Sequence, residues 1–253
     1  MPLIVTLRHR PDDLEHWRRA ERVDALTARR LAGRLRDRAA EAREVLRAFI
    51  TGAPTPAAGG YLGVSWGKDS VVVAHLLHEL EREGIRFPAV WVRVRLWENP
   101  DCDLVRDAFL ERWPLSAYEE IEVDAGEDRA GGTSALGFEE AARRHGDRHV
   151  SGVRGAESAT RRIVMARWGA ATARTCRPIG RWSTEEVFAY LHAHDLPVHP
   201  AYGYTMGGVF DRLRLRTASL GGARGAGHGR AGWERAYYDA ALRAAGAPDH
   251  YGR

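Results

Sequence analysis

Ser65-Trp66-Gly67-Lys68-Asp69-Ser70 sets an ammonium, two hydroxyls and a glycine within six residues, the chemistry of a loop that holds phosphate oxygens. Its lysine is singular. The 253-residue chain carries 38 Lys+Arg residues, and Lys68 is the one lysine among them. An ammonium is a compact point charge that lies against phosphate oxygens in a tight turn, whereas a guanidinium is a broad planar fork, so shape excludes arginine here. The segment is not a Walker loop, which needs glycine where Leu62 stands and Ser or Thr where Asp69 stands. Other reactive side chains are sparse. Cys102 and Cys176 are too few and too isolated for a disulfide framework, a redox pair or a zinc site. Cys176 reads either as a thiol activated by nearby Arg174 and Arg177 or as a small buried hydrophobe. His192, His194 and His199 cluster in sequence, but His192 and His194 are two apart on a helix and point to different sides, so they read as structural.

A phosphate loop of this kind needs a strand leading in and a helix leading out, so that backbone N–H groups and the positive helix end face the anion. The flanking sequence supplies both. Tyr61 to Ser65 reads as a strand and Ser70 to Glu83 as a helix, with Val72, Val73, Leu76, Leu77 and Leu80 on a helical period. Strands are expected over Phe87–Leu96, Tyr118–Val123 and His149–Val153, alternating with helices over Cys102–Trp113, Phe138–His145, Glu157–Trp168 and Thr184–His194. Ser183 or Thr184 is available to cap the last of these. The alternation implies a parallel sheet with helices on both faces. Before it, apolar positions including Leu26, Leu31, Leu35, Leu46 and Phe49 predict amphipathic helices from about Asp12 to Ile50. Asp124–Gly137 reads as a mobile loop, Gly203–Gly232 as a glycine- and arginine-rich stretch, and Trp233–Ala245 as a closing helix. The expected organisation is a helical extension over 1–55, a nucleotide-binding domain over 56–203 and a tail over 204–253.

The six-residue loop resembles the SGGKDS pyrophosphate loop of the adenine nucleotide α-hydrolase superfamily, found in N-type ATP pyrophosphatases and phosphoadenosine phosphosulfate (PAPS) reductases. Trp66 replaces a glycine of that motif. Because tryptophan at positive φ is strained, Trp66 is expected to have an ordinary backbone, with its ring covering the nucleotide or packed on a neighbour. Two further segments add to the resemblance. Gly152-Val153-Arg154-Gly155-Ala156-Glu157-Ser158, with Arg161, is similar to the GxRxxES..R segment of the sulfonucleotide reductases. Arg177-Pro178-Ile179-Gly180-Arg181-Trp182-Ser183, continuing through Tyr190-Leu191 to Leu196-Pro197 and Pro200-Ala201-Tyr202, is similar to a third family stretch.

The resemblance implies a Rossmann-like (HUP-type) α/β fold with ATP at the C-terminal edge of the sheet. It implies nucleotide contacts from Ser65, Trp66, Gly67, Lys68, Ser70, Gly152, Arg154, Glu157 and Ser158, and catalytic roles for Lys68, Asp69, Arg154 and Arg161. Arg154 and Arg161 would face phosphate or sulfate oxygens, with Glu157 holding one of them. Asp69 would be a Mg²⁺-side carboxylate or a helix cap. For ATP-cleaving members, an acceptor attacks the α-phosphorus and pyrophosphate leaves, stabilised by the loop and Mg²⁺. The reductases of the family instead use a cysteine on a mobile C-terminal tail, and this chain has none after Cys176. An ATP pyrophosphatase acting in sulfur or nucleic-acid modification is therefore expected ahead of a PAPS or adenylyl-sulfate reductase, and ahead of a nucleic-acid-binding module that retains the fold.

Composition sets outer bounds. Hydrophobic content of 44% and charged content of 28% fit a globular chain. No apolar run approaches a membrane span and Met1–Ile4 is too short for a signal core, so a cytoplasmic address is expected. The formal net charge of +4 suits a polyanion such as tRNA or DNA. Arginines between Arg18 and Arg47, mixed with acidic residues, read mainly as a solvated helical face. Arg212, Arg214 and Arg216 read as an arm over phosphates or as a plain basic loop. A homodimer is compatible with all of this.

Overall fold

The computed structural model describes residues 3–52, 59–124, 133–215, 217, 219–221 and 230–247. Five strands, β1 (Gly60–Val64), β2 (Ala89–Val94), β3 (Tyr118–Val123), β4 (Arg148–Val150) and β5 (Thr175–Cys176), form one sheet in the order β3-β2-β1-β4-β5. All four pairings are parallel. Alternation along the strands feeds two apolar layers. Leu62, Val64, Ala89 and Trp91 enter the main core with α3 (Lys68–Arg82) and α4 (Asp101–Arg112), whereas Tyr61, Val90 and Ile121 meet Ala141 of α5 (Thr133–His145) on the opposite face. Helices therefore cover both faces, as the sequence implied. The part of the expected Asp124–Gly137 loop from 125 to 132 lies outside the described residues, and α5 begins five residues earlier than its apolar pattern suggested.

The N-terminal helices α1 (Pro11–Arg30) and α2 (Ala32–Thr51) share the main core through Trp17, Ala28, Leu46 and Phe49. The inward stripe of α1 contains two carboxylates, Asp13 and Asp24. Each is buried because it has partners. Asp13 accepts from the Tyr237 hydroxyl at 3.0 Å and from the Thr205 amide at 3.1 Å, and Asp24 takes a two-pronged pair from Arg212 at 2.8 and 2.6 Å. Leu26, expected on the apolar face, is 64% exposed. Arg212 is thus a buried structural cation and not an arm over phosphates; Arg214 is exposed and pairs with Asp211, and Arg216 lies outside the described residues.

The stretch after Tyr202 packs an aromatic cluster at the C-terminal edge of the sheet. Tyr204, Trp233, Tyr237 and Tyr238 join Val94 and Trp97 there, with α8 (Arg230–Ala244) supplying three of the rings. Tyr238 and Tyr204 donate to buried Asp101 at 2.8 and 3.1 Å, and Arg8 pairs with the same carboxylate. Among the described residues no helix is long and apolar enough to cross a membrane.

Two buried histidines give the fold a defined acid response. Burial lowers His75, packed on Tyr190 and His194, and His199 to about 3 from an ordinary 6.5. Burial raises Glu98 from 4.5 to about 7, opposed by hydrogen bonds from the Asn99 and Val94 amides. The histidines bind protons in the unfolded chain first, so they withdraw stability as pH falls below about 6.5, while Glu98 binds its proton in the folded chain first and adds stability over the same descent to about 4.5. Burial lowers His9, His149 and His194 as well, so the histidines outnumber Glu98 and the net loss is at least about 1.4 kcal/mol per pH unit between about pH 6 and 5. Denaturant unfolding across this window checks it, and Glu98→Gln should steepen the slope by about 1.4 kcal/mol per pH unit; an unchanged slope in that variant contradicts the assignment.

Candidate active site

The loop Ser65–Ser70 leaves the C-terminal end of β1, and Gly152–Ser158 leaves the C-terminal end of β4 beside it. Strand order reverses between these two, which is where open α/β sheets form a crevice for ligands. Trp66 takes φ +55°, so its backbone is left-handed and not the ordinary one expected. Its ring explains why this is tolerated. The indole is fully buried, 5.5 Å from the Phe109 ring and 5.6 Å from the Tyr118 ring, and this burial outweighs a conformational cost of about 1–2 kcal/mol. Of the two expectations for the ring, packing on neighbours holds.

Gly67 is the N-cap of α3, which starts at Lys68, two residues before the expected helix start. A Cβ at Gly67 would lie 2.5 Å from the Thr217 hydroxyl, and one at Gly152 would lie 2.8 Å from the Asp69 backbone, so both close approaches require glycine. The Ser70 hydroxyl donates to the Gly67 carbonyl at 3.0 Å and accepts from the Ser65 amide at 3.2 Å, tying the turn shut on itself. Ser65 is exposed at its rim.

Lys68 is 5% exposed, with Nζ 2.8 Å from Asp69 and 5.4 Å above the Tyr202 ring, and its amide donates to the Tyr202 hydroxyl at 3.1 Å. Burial opposes its charge, but Tyr202 and Asp69 more than restore it, so its pKa stands above the ordinary lysine value. The other Asp69 oxygen accepts from Arg154 Nε at 2.6 Å. Arg154 is 1% exposed, and its remaining nitrogens reach the Trp182 carbonyl and the Thr184 hydroxyl at 3.1 and 3.3 Å. Arg154 was expected to face an anion; here it clamps the loop to the start of α7 (Thr184–Ala193), a helix that Ser183 caps.

Glu157 accepts from the Arg154 amide at 3.1 Å and pairs with Arg161, as the sequence suggested it would hold one of the arginines. The Arg161 side chain is 37% exposed, so of the two arginines it is the one open to a ligand. Ser158 is used as the N-cap of α6 (Ala159–Trp168), accepting from the Arg161 amide at 3.2 Å. Asp69 neither caps α3 nor fits a Mg²⁺ site: both its oxygens face cations. Among the described residues no group of three or more His, Cys, Asp or Glu converges as metal ligands.

The loop has a second layer that the sequence did not signal. Cys102 Sγ lies 3.6 Å from the Ser65 carbonyl and 3.5 Å from His199 Nε2, while His199 Nδ1 accepts from the Ala201 amide at 3.1 Å. Burial pushes the Cys102 thiol well above its ordinary range, with Glu98, Asp101 and Asp103 adding to the effect. Burial also pushes Cys176 up to about 12, against Arg148 and Arg177, which corrects the notion of an activated thiol. Tyr202 stood in the third matched segment without a role; its contact with Lys68, 134 positions away, left no local signal.

The family model for the phosphoadenosine phosphosulfate reductase domain matches residues 61–221. The chain belongs to this family. The matched stretch runs from β1 to just past Thr217, so it includes the loop, the Arg154 clamp and the hydroxyl that meets Gly67. No curated protein sequence matches the chain. Similar solved structures include the U34-tRNA thiolase NcsA from Methanococcus maripaludis with its 4Fe-4S cluster, at 14% identity and TM-score 0.40 over 81% of this chain and 79% of that one. Another is NMN synthetase from Francisella tularensis, at 11% identity and TM-score 0.49 over 87% and 96% of the respective chains. Within the PAPS reductase family this member keeps both of its cysteines buried.

Proposed function

We propose that this protein is an enzyme that binds ATP at the Ser65–Ser70 loop and cleaves it between the α- and β-phosphates, transferring AMP to an acceptor. The observation that carries this reading is the Lys68–Asp69–Arg154 chain across the mouth of β1 and β4. It holds a permanently charged ammonium at the N-terminus of α3, where helix amides and cation together favour an anion. In this reading residues 56–203 carry the nucleotide.

An acceptor oxygen or nitrogen would form a bond to the α-phosphorus while the bond to the bridging oxygen breaks. The electron pair leaves on pyrophosphate, and Lys68 and the loop amides would offset the charge that gathers there. Arg161 would meet the remaining phosphate oxygens. A reductase would instead need a thiolate, and both thiols of this chain are buried and held protonated. The test is incubation with α-phosphate-labelled ATP and total cellular nucleic acid. AMP or an adenylylated acceptor should appear with one pyrophosphate per turnover; ADP with inorganic phosphate, or binding of phosphoadenosine phosphosulfate in preference to ATP, would refute it.

A further inference from the structure

From Ser158 to Ser183 the chain has six arginines and no aspartate or glutamate. This stretch forms α6, a tight return through an antiparallel bridge between Ala171 and Cys176, and the approach to α7. Met165 is the one buried side chain of α6. It seats against the backbone of Gly155 and Gly180, glycines at which a Cβ would lie 3.4 and 2.2 Å from Met165 atoms. The helix is thereby pinned next to Arg154 and Glu157, and its other faces turn outward. Arg162, Arg167 and Arg181 are exposed and Arg177 is half-buried. Arg161 and Arg174 pair with Glu157 and Asp147, but these four have no carboxylate partner among the described residues. Between them stand Trp168, 56% exposed with the Arg167 guanidinium 5.2 Å from its ring, and Ile163, 67% exposed.

We infer that this face docks a single strand of nucleic acid, presenting it at the mouth of the candidate active site. Unneutralised guanidinium groups answer a phosphate backbone, and an exposed indole beside an arginine offers a stacking platform for an unpaired base. A membrane surface fits poorly. Ile163 and Trp168 are five residues apart, about 140° around the helix, so they do not form the continuous apolar stripe that interfacial insertion needs. The arginines of α1 and α2, by contrast, are interspersed with Asp and Glu, and several are paired, including Arg19 with Glu15 and Arg38 with Glu41.

That the bound strand is also the acceptor rests on the proposed ATP chemistry; that it binds here does not. The experiment is fluorescence anisotropy of the full chain with labelled 20-nucleotide RNA, the same sequence as single-stranded DNA, and the duplex. Four phosphate contacts predict a slope of log K against log salt of about −3. Arg162→Glu/Arg167→Glu/Arg181→Glu should weaken single-strand binding at least about tenfold, while the equal charge change Arg29→Glu/Arg30→Glu/Arg36→Glu on α1 and α2 costs less than about threefold. Trp168→Ala should cost roughly tenfold for single strands and little for the duplex. Preference between RNA and DNA reads which sugar the face accepts. Lys68→Ala should bind the oligonucleotides as the parent does, which separates this proposal from the ATP one. Equal losses from the two triple variants, tighter binding of the duplex than of either strand, or no binding at low salt would overturn it. Circular dichroism melts confirm that each variant is folded, and the milder Arg→Gln set repeats the comparison should the charge reversals unfold it.

Discussion

Lys68→Ala should lower pyrophosphate release from ATP by about two to three orders of magnitude, the scale of losing one fixed charge-stabilising donor. Lys68→Arg should not restore it. The ammonium sits in a space only 5% open, between a carboxylate at 2.8 Å and the Tyr202 ring 5.4 Å below it, and a planar guanidinium cannot occupy that volume without displacing one of them. In a chain with arginine at every other basic position, this variant separates charge from shape. Steady-state kinetics with a pyrophosphate readout checks it, and an arginine variant within threefold of the parent would contradict the steric argument.

Asp69→Ala should destabilise the fold by about 3–5 kcal/mol, the usual penalty for leaving buried charges without their partner. Arg154 and Lys68 are 1% and 5% exposed, and Asp69 is the carboxylate between them at 2.6 and 2.8 Å. Without it, two buried cations face each other across the loop. Asp69→Asn keeps the volume and one acceptor oxygen and should recover part of the loss. The double variant Asp69→Ala/Arg154→Met should be more stable than Asp69→Ala, because removing one stranded charge relieves the other. Denaturant unfolding of the parent and the three variants decides the matter: equal stabilities of all four would mean that the bridge contributes nothing.

The Ser65–Ser70 turn was legible because its signal is local: six adjacent residues, a strand before and a helix after. Strand β3 was read to the residue for the same reason, with alternation bounded by turns. What the sequence concealed was long-range. Asp13 and Asp24 look like members of a solvated helical face, and only partners about 190 positions away, Thr205 and Arg212, turn them inward. Arg154 carried the right motif but an inverted orientation, since nothing local shows that Trp182 and Thr184 would absorb its donors. Trp66 defied its backbone preference because Phe109 and Tyr118 built a socket for the ring, a packing gain that a φ preference alone does not contain.

The buried carboxylates at Asp13 and Asp101 act as rivets between the two ends of the chain. Arg8 and Asp13 come from before α2, while Tyr237 and Tyr238 come from α8, and neither group lies inside the stretch that marks the family. A protein cut back to residues 61–221 would keep Asp101 and Tyr204 and discard Arg8, Tyr237 and Tyr238. The stretch that marks the family is therefore not a detachable unit here: the C-terminal edge of its sheet is finished by residues that the chain contributes from either side of it, as a hoop is closed by its clasp.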